Sequence, residues 1–419
     1  MTGSPDNELT ETARLPDGAR DVLQVESAEL AAIETSLRAT FARYGYREVR
    51  TPLLEFAEVM DRAQEGGLGR AFRLFDDHGQ VLVVRPDLTI PVARLVAGRL
   101  GDHPGPLRVS YVAECLRPAP SGKAQRVDER QAGLELVGLF GPAADAEIVS
   151  LLVTGLTALG IDDLSVALGD VSLTRAVLDG VGVSDADQSR LREAVRARNL
   201  VAWRRIAQSL ALDDDARRLV AQLPTVRGGA DVLRDLAAAV PAAEPQCSAL
   251  LTTLDLLEQH GADAHVMADL GVLRDWGYYS GIVVEAYAPG VGRPVAVGGR
   301  YDELVGRFGA SRPAVGAAVI LDRVHEAVAV RNGRAATVDG VVLAGGIDRD
   351  VATARALRAE GVVVIGVADT VGVAEALAVA EDWRFLARRD EAGFVVTDRA
   401  HNRTVTCTDL AEGLQSLRL

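Results

Sequence analysis

Several residue types are scarce in this chain of 419 residues. It has three cysteines, one lysine and 4% aromatic residues, and no run of about 18 apolar residues is free of charge. The cysteines, Cys115, Cys247 and Cys407, lie far apart and form no CxxC pair. This spacing argues against a disulfide framework and a structural zinc site. We therefore predict reduced thiols, no metal ion and no membrane span.

Basic charge is also scarce. The formal net charge is −14, and Lys123 is the single lysine among 45 basic residues. A nucleic-acid-binding protein usually needs a basic surface to displace counterions from the phosphates. The charge therefore argues against a tRNA partner, although a local basic patch on an acidic protein remains an alternative.

The first residues lack the apolar stretch of a secretory signal. Residues 1–14 are polar and acidic, and we predict a disordered tail there. The rest of the chain has the composition of a globular protein, since the whole sequence is 48% apolar and 25% charged. We predict a cytoplasmic protein.

Hydrophobic spacing predicts the elements that surround the motifs described below. Apolar residues three and four apart predict a helix over residues 30–44, followed by a short extended segment over residues 48–54. Residues 72–75 and 81–84 are predicted to form a hairpin. Thr89 is predicted to be the N-cap of the next helix.

Two stretches differ from the rest of the chain in composition or in their pattern of predicted elements. Residues 172–245, approximately, are rich in alanine, leucine and arginine with helical spacing, and we interpret them as a helical insertion. Residues 340–419 alternate short strands with helices, which predicts a small α/β domain. The core is then residues 15–330.

Five short motifs lie within this core: Gly277–Glu285, Gly298–Leu304, Arg85–Thr89, the pair Gln131 and Glu135, and, more weakly, the pair Gly316 and Arg323. All five resemble motifs of histidyl-tRNA synthetases. The first two resemble the Tyr-Tyr-Thr-Gly strand and the Gly-Gly-Arg-Tyr-Asp segment, and Arg85–Thr89 resembles the Arg-Pro-Glu-x-Thr segment. The pair Gln131 and Glu135 resembles the Gln-x-x-x-Glu strand, and the pair Gly316 and Arg323 resembles the third class II motif. The resemblance implies an α+β fold with an antiparallel class II synthetase sheet, helices, the helical insertion and the small C-terminal domain.

A pocket for free histidine follows from this resemblance. The ligand's ammonium group needs carboxylates and neutral acceptors, its imidazole needs a flat partner, and its carboxylate needs a guanidinium. The predicted histidine-binding residues are Asp87, Thr89, Gln131, Glu135, Arg274, Tyr278, Tyr279 and Tyr301. Simpler interpretations remain open: the acids could be solvated, the tyrosines could be core residues, and Arg274 and Arg300 could form structural ion pairs.

Two departures favour one branch of this family. The run from Ala113 to Pro118 resembles the second motif, but Glu114 occupies the position that we align with a phosphate-binding arginine. A carboxylate there would repel the phosphate of a bound nucleotide. The C-terminal residues 340–419 hold nine arginines, no lysine and 12 acids, a net charge of −3. Both features argue against aminoacylation, and the entry loop Leu15–Asp21 resembles that of the regulatory subunits of ATP phosphoribosyltransferase, which are relatives of the synthetase.

That resemblance implies a non-catalytic chain without a cofactor. It would pair with a short catalytic subunit, activate it and let histidine inhibit it in the first step of histidine biosynthesis. Class II cores dimerise through the first motif, so a homodimer is expected. The alternatives are an active histidyl-tRNA synthetase, or a synthetase-like enzyme that acts on another substrate.

Overall fold

The structure, a computed structural model, describes residues 13–63, 71–118, 126–197, 199–272, 279–332, 338–344, 350–367, 371–380, 383–390 and 393–418. The chain divides into two units. The larger comprises Met1–Val22 and Leu30–Asn332, and the smaller comprises Leu23–Glu29 and Gly333–Leu419. The predicted tail, residues 1–14, lies almost entirely outside the described residues.

Strands and helices alternate irregularly along the chain. The strands are β1 (Arg47–Glu48), β2 (Leu54–Phe56), β3 (Arg73–Phe75), β4 (Val81–Val84), β5 (Leu107–Leu116), β6 (Asp128–Val137), β7 (Ser165–Asp170), β8 (Arg227–Gly228), β9 (Val266–Asp269), β10 (Ile282–Tyr287), β11 (Ala296–Arg300), β12 (Ala314–Ile320), β13 (Val338–Ala344), β14 (Val363–Val367), β15 (Trp383–Asp390), β16 (Gly393–Asp398) and β17 (Arg403–Cys407). The helices are α1 (Gln24–Arg43), α2 (Ala57–Asp61), α3 (Thr89–Arg99), α4 (Pro142–Thr157), α5 (Val171–Gly180), α6 (Asp185–Arg196), α7 (Leu200–Ser209), α8 (Asp214–Gln222), α9 (Ala230–Ala239), α10 (Glu244–Gln259), α11 (Leu321–Asn332), α12 (Val351–Ala359), α13 (Val371–Ala380) and α14 (Leu410–Arg418).

A large sheet forms the centre of the larger unit. Within the described residues it has nine strands in the order β1-β5-β6-β12-β11-β10-β7-β9-β8. Its middle, from β5 through β6, β12, β11 and β10 to β7, is antiparallel throughout. The parallel pairs β1·β5 and β7·β9 lie nearer the edges. The predicted α+β fold with an antiparallel sheet is confirmed.

Helices cover the face of this sheet opposite the cavity described below. The buried residues of α1 include Leu30, Ile33, Leu37 and Phe41, the apolar face that the spacing predicts. These side chains join one large apolar cluster with those of α4 and the central strands. Tyr44, which the same pattern places on the buried face, is instead exposed, because the helix ends at Arg43.

The short extended segment predicted over residues 48–54 is divided in two. The strand β1 ends at Glu48 and β2 begins at Leu54. Between them, the carbonyl groups of Thr51 and Pro52 accept hydrogen bonds from the Arg85 guanidinium at 2.7 and 3.0 Å. Backbone groups satisfied by a side chain no longer need a neighbouring strand, which explains the break.

A second, three-stranded sheet has the order β2-β4-β3. The strands β3 and β4 pair antiparallel, which confirms the predicted hairpin. The helix that follows begins at Thr89, but Thr89 is not its N-cap, because Leu88 occupies that position. The Asp87 carboxylate, one residue earlier, accepts the hydrogen bond from the Ile90 N–H at 3.0 Å.

The helices α5 to α10 follow strand β7 in the chain. Four of the N-caps among them, those of α5 to α8, use an aspartate, serine or asparagine side chain to accept a backbone N–H. Trp203 of α7 is 1% exposed, and its indole Nε1–H donates to the Val220 carbonyl at 2.8 Å. This bond joins α7 to α8.

The smaller unit contains a sheet of order β14-β13-β15-β16-β17, in which β13 runs parallel to both β14 and β15. Asp398, at the end of β16, is fully buried and bonded to Arg384 at 3.2 Å and His401 at 3.0 Å. Burial alone would raise the pKa of Asp398, but these partners hold it at about 2. Across the described ranges of both units, no helix has the length and apolar character that crossing a membrane requires.

Candidate functional site

A cavity of about 430 Å³ lies on the sheet where β6, β11 and β12 are neighbours. Five of the eight predicted histidine-binding residues line it: Asp87, Thr89, Gln131, Tyr279 and Tyr301. Glu135 lies beneath its surface and is described next. Arg274 and Tyr278 fall outside the described residues, so their part in the site stays a prediction.

Glu135 is a buried carboxyl group held by hydroxyl groups. It is 1% exposed, and its Oε2 accepts a hydrogen bond from the hydroxyl of Tyr301, which itself lines the cavity. Its Oε1 lies 3.5 Å from the Tyr111 hydroxyl. Glu135 therefore reaches the cavity through Tyr301 and is not in direct contact with it.

Two glycines make room for this arrangement. Gly316 pairs with Glu135 across β12 and β6, and a Cβ atom at Gly316 would lie 1.5 Å from the Glu135 Oε2. At Gly133, a Cβ atom would lie 2.1 Å from the Tyr111 ring. Both distances are far below van der Waals contact, so any larger residue would displace the carboxyl group or the ring.

Burial controls the proton on Glu135. Removal from water disfavours the charged form and raises the pKa of Glu135 to about 8, although the hydrogen bonds from Tyr301, Thr89 and Tyr111 act in the opposite direction. Burial also raises the pKa of Asp87, against the stabilising Ile90 N–H. Glu135 can therefore hold a proton near neutral pH and lose it to water when a cation binds nearby.

Arg85 fixes the segment that carries Asp87. Its guanidinium is 7% exposed and donates to the Glu114 carbonyl at 2.8 Å as well as to Thr51 and Pro52. Arg85 is thus a structural residue of its motif, and it holds Asp87 beside β5.

The cavity is also lined by charged residues that were not among the predicted histidine-binding residues. Arg117, Glu129 and Arg323 all line it. Glu129 accepts hydrogen bonds from the Arg323 Nη2 at 2.7 Å and the Gln131 Nε2 at 2.7 Å, and its Oε1 lies 3.6 Å from the Arg117 Nη1. Glu129 is two residues before Gln131 on the same strand face, and that spacing was the signal for it in the sequence.

Glu114 does not occupy the position that the sequence alignment assigned to it. Directly paired residues in adjacent strands share a face, and Gln131, which lines the cavity, pairs with Ala113. Glu114 therefore points to the other face, where it is 55% exposed and bonds Arg130 at 2.9 Å. The expectation that Glu114 would repel a bound phosphate is wrong, and Arg117 is the arginine of this motif that reaches the cavity.

Arg300 is a structural residue. It is 6% exposed, and its guanidinium bonds Asp145 at 2.6 and 2.9 Å and Asp302 at 2.9 Å. Burial raises the pKa of Asp145 to about 6 despite this ion pair. Of the two arginines for which a structural ion pair was considered, Arg300 forms one.

Comparisons with known proteins identify the family of this chain. A family model described as histidyl-tRNA synthetase matches residues 18–324. The ATP phosphoribosyltransferase regulatory subunit of Moorella thermoacetica is 36% identical over 359 residues, which cover 84% of this chain and 91% of that protein. The chain belongs to the histidyl-tRNA synthetase family, in the branch of the ATP phosphoribosyltransferase regulatory subunits. A second member of this regulatory-subunit branch, from Geobacter sulfurreducens, is 37% identical over 314 residues, 73% of this chain and 70% of that one.

The fold of this chain is also similar to those of solved structures. A crystal structure from Bacillus halodurans, described as an ATP phosphoribosyltransferase regulatory subunit/histidyl-tRNA synthetase, is 29% identical, with a TM-score of 0.79 over 90% of this chain and 97% of that one. The histidyl-tRNA synthetase of Nostoc sp. PCC 7120 has a TM-score of 0.81 over 97% of this chain and 99% of that one, at 21% identity. The second comparison concerns the fold alone. The predicted family and class II fold are confirmed.

Proposed function

We propose that this chain is the non-catalytic regulatory subunit of ATP phosphoribosyltransferase, that it activates a short catalytic subunit in the cytoplasm, and that it does not charge tRNA. The observation that carries the proposal is the identity to proteins named as that subunit, 32–37% over most of the chain. The acidic C-terminal residues 340–419 support the absence of a tRNA partner.

Reconstitution tests this proposal. The chain is mixed with a short catalytic subunit of ATP phosphoribosyltransferase, and phosphoribosyl transfer to ATP is measured with and without histidine. We expect a stable complex, faster transfer than with the catalytic subunit alone, and inhibition by histidine that requires this chain. Histidine-dependent exchange of pyrophosphate into ATP by the chain alone would favour an active synthetase instead.

We further propose that the cavity binds the inhibitor histidine. Asp87 provides an acidic group for the ammonium group, with Thr89 and Gln131 as neutral acceptors, and Glu135 acts on the ligand from behind Tyr301. Tyr279 and Tyr301 provide flat aromatic partners for the imidazole ring. Arg274 is the predicted partner of the ligand's carboxylate. Feedback then requires that histidine bind the active and inhibited assemblies with different affinity.

Calorimetry tests the pocket. Histidine is titrated into the wild-type chain and into Asp87→Asn, with Glu114→Gln as the control, because Glu114 is an acid of the same unit on the opposite sheet face. We expect Asp87→Asn to weaken binding at least tenfold and Glu114→Gln to leave it unchanged. Equal affinities in all three proteins would exclude the cavity as the histidine site.

We also propose a homodimer of the synthetase-like core. The three-stranded sheet and the residues beside it expose large apolar side chains: Leu53, Leu54, Phe56, Phe72, Leu74 and Phe75. Phe75 is 76% exposed, and the strand register places Leu54, Phe56 and Leu74 together on one face of the sheet. Exposed apolar side chains grouped in this way are typical of an interface. We expect the contact to include this hairpin together with the first class II motif, which covers the helix over residues 30–44 and the strand leading to Pro52.

Light scattering with size-exclusion chromatography tests the dimer. Phe75→Glu should produce monomers, because it buries a charge in the interface. Val201→Glu is the matched control, since Val201 is 63% exposed on α7, away from this sheet in the sequence. A monomeric wild-type chain, or a dimer that Phe75→Glu leaves intact, would contradict this interface.

A further inference from the structure

Two arginines of the cavity are fixed in place by the backbone. Arg117 donates from Nε to the Pro86 carbonyl at 2.6 Å, and Arg323 donates from Nη1 to the Pro294 carbonyl at 2.7 Å. Both guanidinium groups line the same cavity. A pair of guanidinium groups held at one end of a cavity is the usual recognition element for phosphate groups.

Glu129 occupies the space between these arginines. Its carboxylate bonds Arg323 at 2.7 Å through Oε2, while Oε1 accepts from the Gln131 side chain at 2.7 Å and lies 3.6 Å from the Arg117 Nη1. Its side chain is 18% exposed and that of Arg323 is 15% exposed, so water screens this contact little. Both oxygens of the carboxylate are therefore already used by groups that would otherwise meet an incoming anion.

We propose that Glu129 is a built-in counter-ion that excludes phosphate-bearing ligands from the cavity by holding Arg117 and Arg323. This proposal rests on the proposed function, because it concerns the ligand class that the regulatory pocket accepts. A phosphate in this end of the cavity would have to displace the carboxylate from two guanidinium groups, or lie beside it and be repelled. A zwitterionic amino acid, which carries no phosphate, avoids that conflict.

The proposal explains how a cavity lined by Arg117 and Arg323, with Arg293 as a third arginine, can serve a chain that must not bind nucleotides in it. The charge repulsion assigned to Glu114 in the sequence is supplied instead by Glu129, a residue of the neighbouring strand β6. Glu129→Gln removes the negative charge but keeps the length of the side chain and one acceptor oxygen, so it isolates the charge.

The test is titration calorimetry with inorganic pyrophosphate on the full-length chain. We expect no saturable binding by the wild type at millimolar pyrophosphate, and saturable binding at least tenfold tighter by Glu129→Gln. Glu114→Gln, which makes the same charge change on the opposite face, should gain nothing. Adding Arg323→Gln to Glu129→Gln should abolish the gained binding.

Folding of each variant is checked by thermal unfolding, and Glu129→Ser replaces Glu129→Gln if the latter does not fold. Pyrophosphate binding by the wild type as tight as that of the charge-removed variant would overturn the proposal, as would equal gains in the Glu129 and Glu114 variants. Histidine is titrated into the same samples. Gained pyrophosphate binding supports the role of Glu129 even where histidine binds to no sample, an outcome that would count against the histidine pocket alone.

Discussion

Replacing Glu135 by glutamine should raise the stability of the ligand-free protein and weaken its binding of histidine. The side chain is 1% exposed and the pKa of Glu135 is about 8, against 4.5 for the same group in water. Glutamine keeps the size of the side chain, so little repacking is needed. It removes the ionisable group, so any effect that depends on pH must come from Glu135.

The stability effect can be worked out from the pKa. Because the folded state binds the proton more tightly than the unfolded chain, the contribution of Glu135 is fully present below about pH 4 and is lost as pH rises towards 8. By pH 7 the loss is about 3 kcal/mol, from 1.36 kcal/mol per pKa unit over the interval above 4.5. We therefore expect Glu135→Gln to gain stability relative to the wild type by about that amount between pH 4 and pH 7.

The ligand effect has the opposite sign. A cationic ammonium group favours the ionised form of Glu135. In the empty site, the ionised fraction of Glu135 rises from about a tenth at pH 7 to about a half at pH 8. The ratio of histidine dissociation constants, variant over wild type, should therefore rise roughly fivefold over that unit. At pH 8 the variant should bind roughly tenfold more weakly, since a carboxylate behind the cavity wall attracts the ammonium group by about 1–2 kcal/mol at intermediate dielectric.

Urea unfolding from pH 4 to 8 and histidine calorimetry at pH 7 and 8 measure these two effects. Because the two dissociation constants are compared as a ratio at the same pH, the effect of the ionisation of histidine itself cancels. Glu114→Gln again serves as the control, with no change expected in either quantity beyond that of a surface substitution. A stability difference between Glu135→Gln and the wild type that is the same at every pH would refute the assignment of a raised pKa to Glu135.

Three further predictions follow from the packing. Gly316→Ala should destabilise the chain by about 1–3 kcal/mol and weaken histidine binding, because its Cβ would meet the Glu135 carboxyl group; Gly98→Ala, which has open space around it, should not, as thermal unfolding and calorimetry would show. Arg300→Met should cost about 3–5 kcal/mol in urea unfolding at pH 7, because it leaves a buried aspartate without its partner; a loss below about 1 kcal/mol would contradict the structural role. Asp398→Asn should lower the melting temperature at pH 7, because it removes the stability that the Asp398 carboxylate contributes above about pH 4. The wild type loses this stability as pH falls through about 2, and the variant has none to lose. Thermal unfolding followed by circular dichroism between pH 2 and 7 measures the difference, and parallel curves for the two proteins would count against it.

Much of the site was predictable because its residues are close together in short motifs. Asp87 and Thr89 flank a helix start, and Gln131 and Glu135 share one strand face, so local periodicity alone groups them. The two buried glycines, Gly133 and Gly316, also lie on strands that the sequence indicated. Their function as space for Tyr111 and Glu135 depends on the pairing partner, which local periodicity does not specify.

The error at Glu114 has the same origin. A shift of one residue in a strand exchanges the two faces of a sheet. The alignment assigned the phosphate-binding position to Glu114, three residues before Arg117, and any odd shift exchanges the faces in the same way. The register Ala113 with Gln131 corrects this assignment and brings Arg117, not Glu114, to the cavity.

The sequence by itself determined the family, the antiparallel class II fold and most of the acidic and aromatic residues of the pocket, because those features are encoded in contiguous motifs and in periodic burial. Only the tertiary structure decided how the charges are paired. It placed Glu129 between Arg117 and Arg323, buried Glu135 under Tyr301, and joined Arg300 to Asp145 from a distant part of the chain. Charge pairing depends on distances of a few ångströms between residues far apart in sequence, and strand register and burial set those distances.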